Sequence, residues 1–301
     1  MQPRPNSEPL DSERPDVEDH PDAEQPPAAG RASRGPSAAA VAGLTALIAG
    51  AVLAGAAFAG PVPYAVAILV EQLALVGIWC VVTRPPGLAG TVAVGILTAI
   101  AADVVALTTG ERGAGSLVAV LACAFGATTF TQLARGAARR NVTESFGGTL
   151  TVAVAAIALA TTVTLRRTEG TDGPDLVALI FLSAALGMVV ARVTDLVLPR
   201  PAARPDVPRG LTGLALGSAL AAGGSALAAA DWLDLSVGTA TLVGWLVGTA
   251  AVLADLAVDF ARAGRLAAGT RATGGTAGAA LGPLVAFSVA APIGYLVGLS
   301  L

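Results

Sequence analysis

Lysine is absent from this 301-residue chain and histidine occurs once, as His20, so all 18 basic side chains other than that imidazole are arginines. Chemistry that needs a lysine amine or an intramembrane imidazole is thereby unavailable. Cysteine is nearly missing too. Cys80 and Cys123 both fall inside apolar runs, which excludes a disulfide framework and a cysteine metal cluster. Charge is scarce: only 13% of residues are charged, where soluble domains carry about a quarter. Apolar residues fill the gap, at 54% of the chain and a mean hydropathy of +0.72. This is the composition of an integral membrane protein, and it rules out a soluble enzyme.

The sequence divides at residue 36. Residues 1–36 hold eight acidic residues, four arginines and abundant proline, with almost no large apolar side chains. Such a segment cannot bury a core and is expected to be a disordered, cytoplasmic solubilising arm. Acids and prolines also stand where a secretory signal would need a basic region. From 37 onward, 13 acids face 14 arginines. Apolar runs fall at 37–59, 64–82, 88–109, 117–133, 149–165, 176–198, 211–230, 237–260 and 276–301. Each approaches the roughly 20 residues that a bilayer crossing requires. The expected fold is therefore all-α, a polytopic bundle of nine transmembrane helices over 37–301. The intervals between runs are too short for a soluble catalytic domain, so any activity belongs to the helices and their loops.

Arginine placement sets the expected orientation. With the N-terminus inside, cytoplasmic segments hold Arg31, Arg34, Arg84, Arg135, Arg139, Arg140, Arg192, Arg200, Arg204, Arg209, Arg262, Arg265 and Arg271; the opposite side holds Arg112, Arg166 and Arg167. The positive-inside rule then gives a cytoplasmic N-terminus and an extracytoplasmic C-terminus in the plasma (inner) membrane, which an odd number of spans satisfies.

A few charged residues lie within the runs. Glu71 and Asp103 sit deep in the second and third spans. A carboxylate at the bilayer centre costs about 2.5–3.5 kcal/mol, so each needs a partner, a cavity or a proton. They read either as a proton or ion path or as hydrogen-bonded carboxyls joining helices. Asp255, Asp259 and Arg262 follow at i, i+4 and i+7 on one face of the eighth span, near the level of Asp195 on the sixth. Two facing acids with nearby arginines suit a divalent cation or a phosphorylated ligand; the alternative is an internal ion pair at the membrane boundary. Gly213, Gly217, Ala221 and Ser225 on the seventh span, and Gly244 and Gly248 on the eighth, form small-residue stripes that let helices approach closely.

The second half of the chain resembles the phosphatidate cytidylyltransferase (CDP-diacylglycerol synthase) family. The resemblance lies in a succession: Arg139-Arg140-Asn141-Val142-Thr143, a span ending in Thr194-Asp195 like the family's Ser-Asp, and then Pro208-Arg209 and Gly213 in the following loop. Ala254-Asp255-Leu256 is similar to its G-D-L, and Ala290-Ala291-Pro292 with Tyr295 to its final A-A-P-x-x-Y. The resemblance implies a nine-span scaffold with a cytoplasmic acidic site at which acids bind Mg²⁺ and basic groups hold the CTP phosphates. The departures are equally specific. The lysines of the family's S-P-K-K loop have only Arg209 as a substitute, its E-S-x-x-K-R is replaced around Val258, Asp259, Arg262 and Ala263, and Gly282, Pro283 and Val285 stand at its D-R-x-D.

Three functions stay open on sequence. The first is a non-catalytic relative, a pseudoenzyme serving as a lipid-binding or accessory subunit with no cofactor. Its partners would be membrane lipids and a membrane protein, with no nucleic acid. In that reading Asp195, Arg209, Asp255, Asp259 and Arg262 converge on a cytoplasm-facing recess for an anionic headgroup. The second is a divergent, active cytidylyltransferase using Mg²⁺ to make CDP-diacylglycerol from CTP and phosphatidate. The third is a small transporter using Glu71 and Asp103.

Overall fold

The computed structural model describes residues 36–109, 113–136, 141–167, 172–198, 201–204, 207–268 and 275–300. The N-terminal arm expected over 1–36 lies outside them but for its last residue, which begins a helix. Nine helices among the described residues are long and apolar enough to cross a membrane: α1 (Pro36–Ala57), α2 (Pro61–Thr83), α3 (Leu88–Thr108), α4 (Gly113–Ala134), α5 (Val142–Arg167), α6 (Gly173–Val197), α7 (Leu211–Asp231), α8 (Val237–Ala267) and α9 (Gly275–Gly298). This is the architecture of a multi-pass membrane protein. A helix satisfies its own backbone, which a bilayer demands.

The breaks between helices follow local chemistry. Gly60 adopts φ 115° between α1 and α2, a conformation open to glycine. Pro61 then occupies the first turn of α2, where its missing N–H costs nothing. At the other end of α2, Arg84 caps in the left-handed region at φ 45°, and Pro85-Pro86 prevents the helix from continuing. Two helices overrun their apolar runs furthest. α5 starts at Val142 and α8 continues to Ala267, because hydropathy marks only the stretch suited to hydrocarbon while a helix continues into polar residues that tolerate it.

An antiparallel hairpin stands between α6 and α7, where the sequence placed Pro208-Arg209 in a loop. β1 (Ala202–Arg204) pairs with β2 (Val207–Gly210) in the register Ala202↔Gly210 and Arg204↔Val207, with an irregularity between. It delivers Arg209 to the bundle interior, buried to 3% exposure.

α6 lies at the centre, packed against α1, α5, α7, α8 and α9, while α2–α5 form a neighbouring group joined to it through α5 and α9. Phe181 on α6 and Phe287 on α9 meet with ring centroids 5.7 Å apart, among buried Leu53, Tyr64, Ile68 and Leu179. The small-residue stripes pack α7 against α8 through Ala221 and Ser225, and against α6 through Gly213 and Gly217. A Cβ added at Gly244 would lie 2.1 Å from Ser225 Oγ and 2.8 Å from the carbonyl oxygen of Ala221. Ser225 hydroxyl meets that of Ser183 on α6 at 2.8 Å, tying the third helix in.

At one end of the bundle two arginines close other helices. Arg166 Nε donates to the carbonyl oxygen of Ala57 at 2.6 Å, at the end of α1, and Arg167 Nη1 to those of Ala106 and Leu107, at the end of α3. The last carbonyls of a helix have no partner of their own, and a cation there also opposes the helix dipole.

Gly244→Val should destabilise the protein by about 1–3 kcal/mol through overpacking against backbone that cannot yield. Gly238→Val, which meets open space in the same helix, should leave stability unchanged. Thermal unfolding of both variants in detergent checks this.

Candidate functional site

Asp255 is fully buried on α8, at 0% exposure. An isolated carboxylate could not remain charged there. Its surroundings supply what it lacks. Arg192 of α6 grips it with both arms of its guanidinium, Nη2 on Oδ1 at 2.6 Å and Nε on Oδ2 at 2.9 Å. This fork-on-carboxylate geometry is available to arginine and not to lysine. Arg209, brought in by β2, places Nη1 2.8 Å from the same Oδ2.

The two guanidiniums extend the network in both directions. One turn along α8, Asp259 Oδ2 lies 2.9 Å from Arg192 Nη1 and 3.1 Å from Arg209 Nη1. Near the end of α6, Asp195 Oδ2 lies 2.6 Å from Arg209 Nε, and its Oδ1 accepts the backbone N–H of Gly210 at 2.9 Å. Three carboxylates from two helices thus share two guanidiniums, one from α6 and one from the hairpin. Arg192 sits three residues before Asp195 and Asp255 four before Asp259, so each helix presents its pair from one face.

Two glycines make the close packing possible. A Cβ at Gly213 on α7 would stand 2.3 Å from Asp195 Oδ1, and one at Gly282 on α9 would stand 2.2 Å from Asp255 Oδ1. These helices therefore close over the carboxylates without side chains between. The sequence pointed to Asp195, Arg209, Asp255 and Asp259, and the structure brings all four into one cluster. Arg262 lies at the far end of the α8 face, where its Nη2 donates to the Gly275 carbonyl oxygen at 3.4 Å and its guanidinium lies over Gly278 of α9.

Arg192 is the member that sequence reading missed as a site residue, having served there only as a topological charge. Its spacing from Asp195 was the available signal. Gly282 was missed as well, since a glycine announces nothing until the carboxylate it accommodates is in place.

The arrangement has defined chemical capacities. Both oxygens of Asp255, both of Asp195 and one of Asp259 lie within 3.1 Å of an N–H group. Each of these oxygens already has a nitrogen partner, Arg209 Nε meeting Asp195 Oδ2 as an ion pair rather than a hydrogen bond. Among the described residues, no three His, Cys, Asp or Glu side chains are arranged to hold a metal ion. What the cluster does is bind α6, the hairpin and α8 to one another.

The intramembrane acids occupy a separate place. Asp103 on α3 accepts from Gln72 Nε2 of α2 at 3.1 Å, and the same amide donates to the Ala156 carbonyl oxygen of α5 at 2.9 Å. Glu71 is buried beside Gln72, at 7% exposure. Sequence reading passed over Gln72, which joins the three helices.

An apolar groove of about 650 Å³ opens between α2, α5 and α9, lined by Leu75, Trp79, Leu150, Ala155, Val289 and Pro292 among others. Trp79 Nε1 is buried there without a hydrogen-bond partner.

Comparison of the chain with protein-family models, with curated proteins and with solved structures finds no match.

Removing one cation from the ion cluster should cost more than removing the whole cluster. Arg209→Met leaves buried carboxylates short of a partner and should destabilise by about 3–5 kcal/mol, whereas apolar replacement of Arg192, Arg209, Asp195, Asp255 and Asp259 together should recover much of that loss. Denaturant titration in detergent micelles compares the two.

Proposed function

We propose that this chain is a non-catalytic multi-pass membrane protein, built on a scaffold like that of the phosphatidate cytidylyltransferases and serving as a lipid-binding or accessory component. One observation carries the reading: arginine nitrogens and the Gly210 backbone N–H already occupy the oxygens of Asp195 and Asp255, the residues that the resemblance would assign to Mg²⁺. Cytidylyl transfer depends on cations that neutralise a polyphosphate as its charge develops. Here the cationic groups face inward and are spent on the protein's own carboxylates. A scaffold that once organised metal and nucleotide would, with guanidiniums in the metal's place, keep its packing and lose its reaction.

The lipid half of the reading draws on the groove between α2, α5 and α9. It is apolar, lies on membrane-spanning helices and has the size of a small-molecule pocket, about 300–1,000 Å³. An acyl chain fits its lining, and the unpartnered Trp79 N–H is suited to an ester carbonyl at the polar end of that chain.

The same proposal places the N-terminus in the cytoplasm and the C-terminus outside. Arginine asymmetry supports it, because the ends of α2, α4, α6 and α8 carry most of the positive charge.

Purified protein supplied with CTP, phosphatidate and Mg²⁺ should form no CDP-diacylglycerol above background. Turnover that Asp255→Asn abolishes would overturn the non-catalytic reading. For the lipid half, Ala155→Phe with Ala158→Phe should fill the groove and lower the number of phospholipids retained in native mass spectrometry; an unchanged count removes that half. An alkaline phosphatase fused after Leu301 should be active in cells, and an inactive fusion with an active cytoplasmic reporter at the same point would reverse the orientation.

A further inference from the structure

Gln72 and Asp103, hydrogen-bonded to each other, each keep one acceptor without a partner. The carboxamide of Gln72 is wholly buried, and both its hydrogens are spent, one on Asp103 Oδ1 and one on the Ala156 carbonyl oxygen. Its Oε1 has no partner, and neither has Asp103 Oδ2 on a side chain that is 5% exposed. As a carboxylate, Asp103 would be an acceptor only, and nothing there would offer Oε1 a donor. Two unpaired acceptors, one of them charged, would then be buried on neighbouring side chains inside the bilayer.

A single hydrogen on Asp103 Oδ2 resolves both. The acid becomes a donor to Gln72 Oε1 while its Oδ1 still accepts from Nε2, closing the paired ring that a carboxylic acid and a primary amide form. The geometry points to Asp103 as an intramembrane proton-binding site whose ligand is one proton, held by Gln72, in the part of the bundle formed by α2, α3 and α5. A hard divalent cation is poorly served, because it seeks about six or more oxygens and this pair offers two.

The surroundings are consistent with a neutral acid. From α2, the neighbouring groups are Glu71, itself buried with an unpartnered Oε1, and Tyr64, whose hydroxyl donates to Thr162 of α5 at 2.7 Å. From α5 come Arg166 and Arg167, whose guanidiniums are turned to the closing carbonyls of α1 and α3. α4 offers only Cys123, which is exposed. No cation among the described residues is hydrogen-bonded or ion-paired to Asp103, in contrast to Asp255.

Infrared spectroscopy of the full chain in lipid nanodiscs tests this. At neutral pH a protonated carboxylic C=O band should appear, shift on labelling with ¹³C-carboxyl aspartate, and vanish in Asp103→Asn. That variant should fold like the parent, since an asparagine amide can complete the same ring. Gln72→Leu should move the band to higher frequency by removing its hydrogen-bond partner, which decides the matter even where Asp103→Asn folds poorly. Glu71→Gln should leave the aspartate-labelled band in place. Absence of any aspartate-sensitive band would overturn the proposal. So would a sodium-dependent rise in thermal stability that Asp103→Asn abolishes, which would make the ligand a metal cation.

Discussion

The grip of two guanidiniums on three carboxylates is the constraint to which the second half of the molecule is fitted. A charge buried as fully as Asp255 is tolerable only with its counter-ions in contact, and those come from α6 and from a hairpin outside the spans. The hairpin has to fold inward, α7 and α9 have to present glycine at Gly213 and Gly282, and α8 has to keep Asp255 and Asp259 on the face toward α6. None of these requirements is met by burying apolar surface. In a bilayer, where lipid tails are as apolar as leucine, packing of helices gains little from hydrophobicity and relies on close contact and polar pairing.

The two polar centres solve the burial of acids in opposite ways. Asp195, Asp255 and Asp259 keep company with cations, supplied near one end of the bundle where arginines are affordable. Asp103 has an amide for a partner, deeper in the span. Arginine suits the first task because it stays charged and offers several donors in a plane. The same property lets Arg166 and Arg167 finish helices to which they do not belong.

The spans were legible because hydrocarbon imposes one rule on every residue it touches, and apolar runs of about 20 residues record it. Asp195, Asp255 and Asp259 were legible as charged residues at one membrane level, and Arg209 through the motif succession around Pro208. Arg192 was not, because near a helix end it reads equally well as an orientation signal. Nor was the hairpin: β1 and β2 are only three and four residues long, β2 contains Pro208, and neither shows an alternating pattern. Gln72 escaped for another reason. An amide carries no charge to mark it, and its role depends on Asp103 and Ala156, which are distant in sequence and adjacent only once α2, α3 and α5 have packed.

The hairpin also dictates an order of biogenesis. Arg192, Asp195 and Arg209 leave the ribosome before Asp255 and Asp259, so two cations and a single acid must wait through the synthesis of α7 and much of α8. The apolar body of α6 enters the membrane on its own hydropathy, but until then Arg192, Asp195 and the hairpin favour the aqueous boundary. Arrival of α8 supplies the missing negative charge and draws the earlier segments in. Closure of the ion cluster therefore has to follow the synthesis of α8, and Gly282 of α9 packs over Asp255 last.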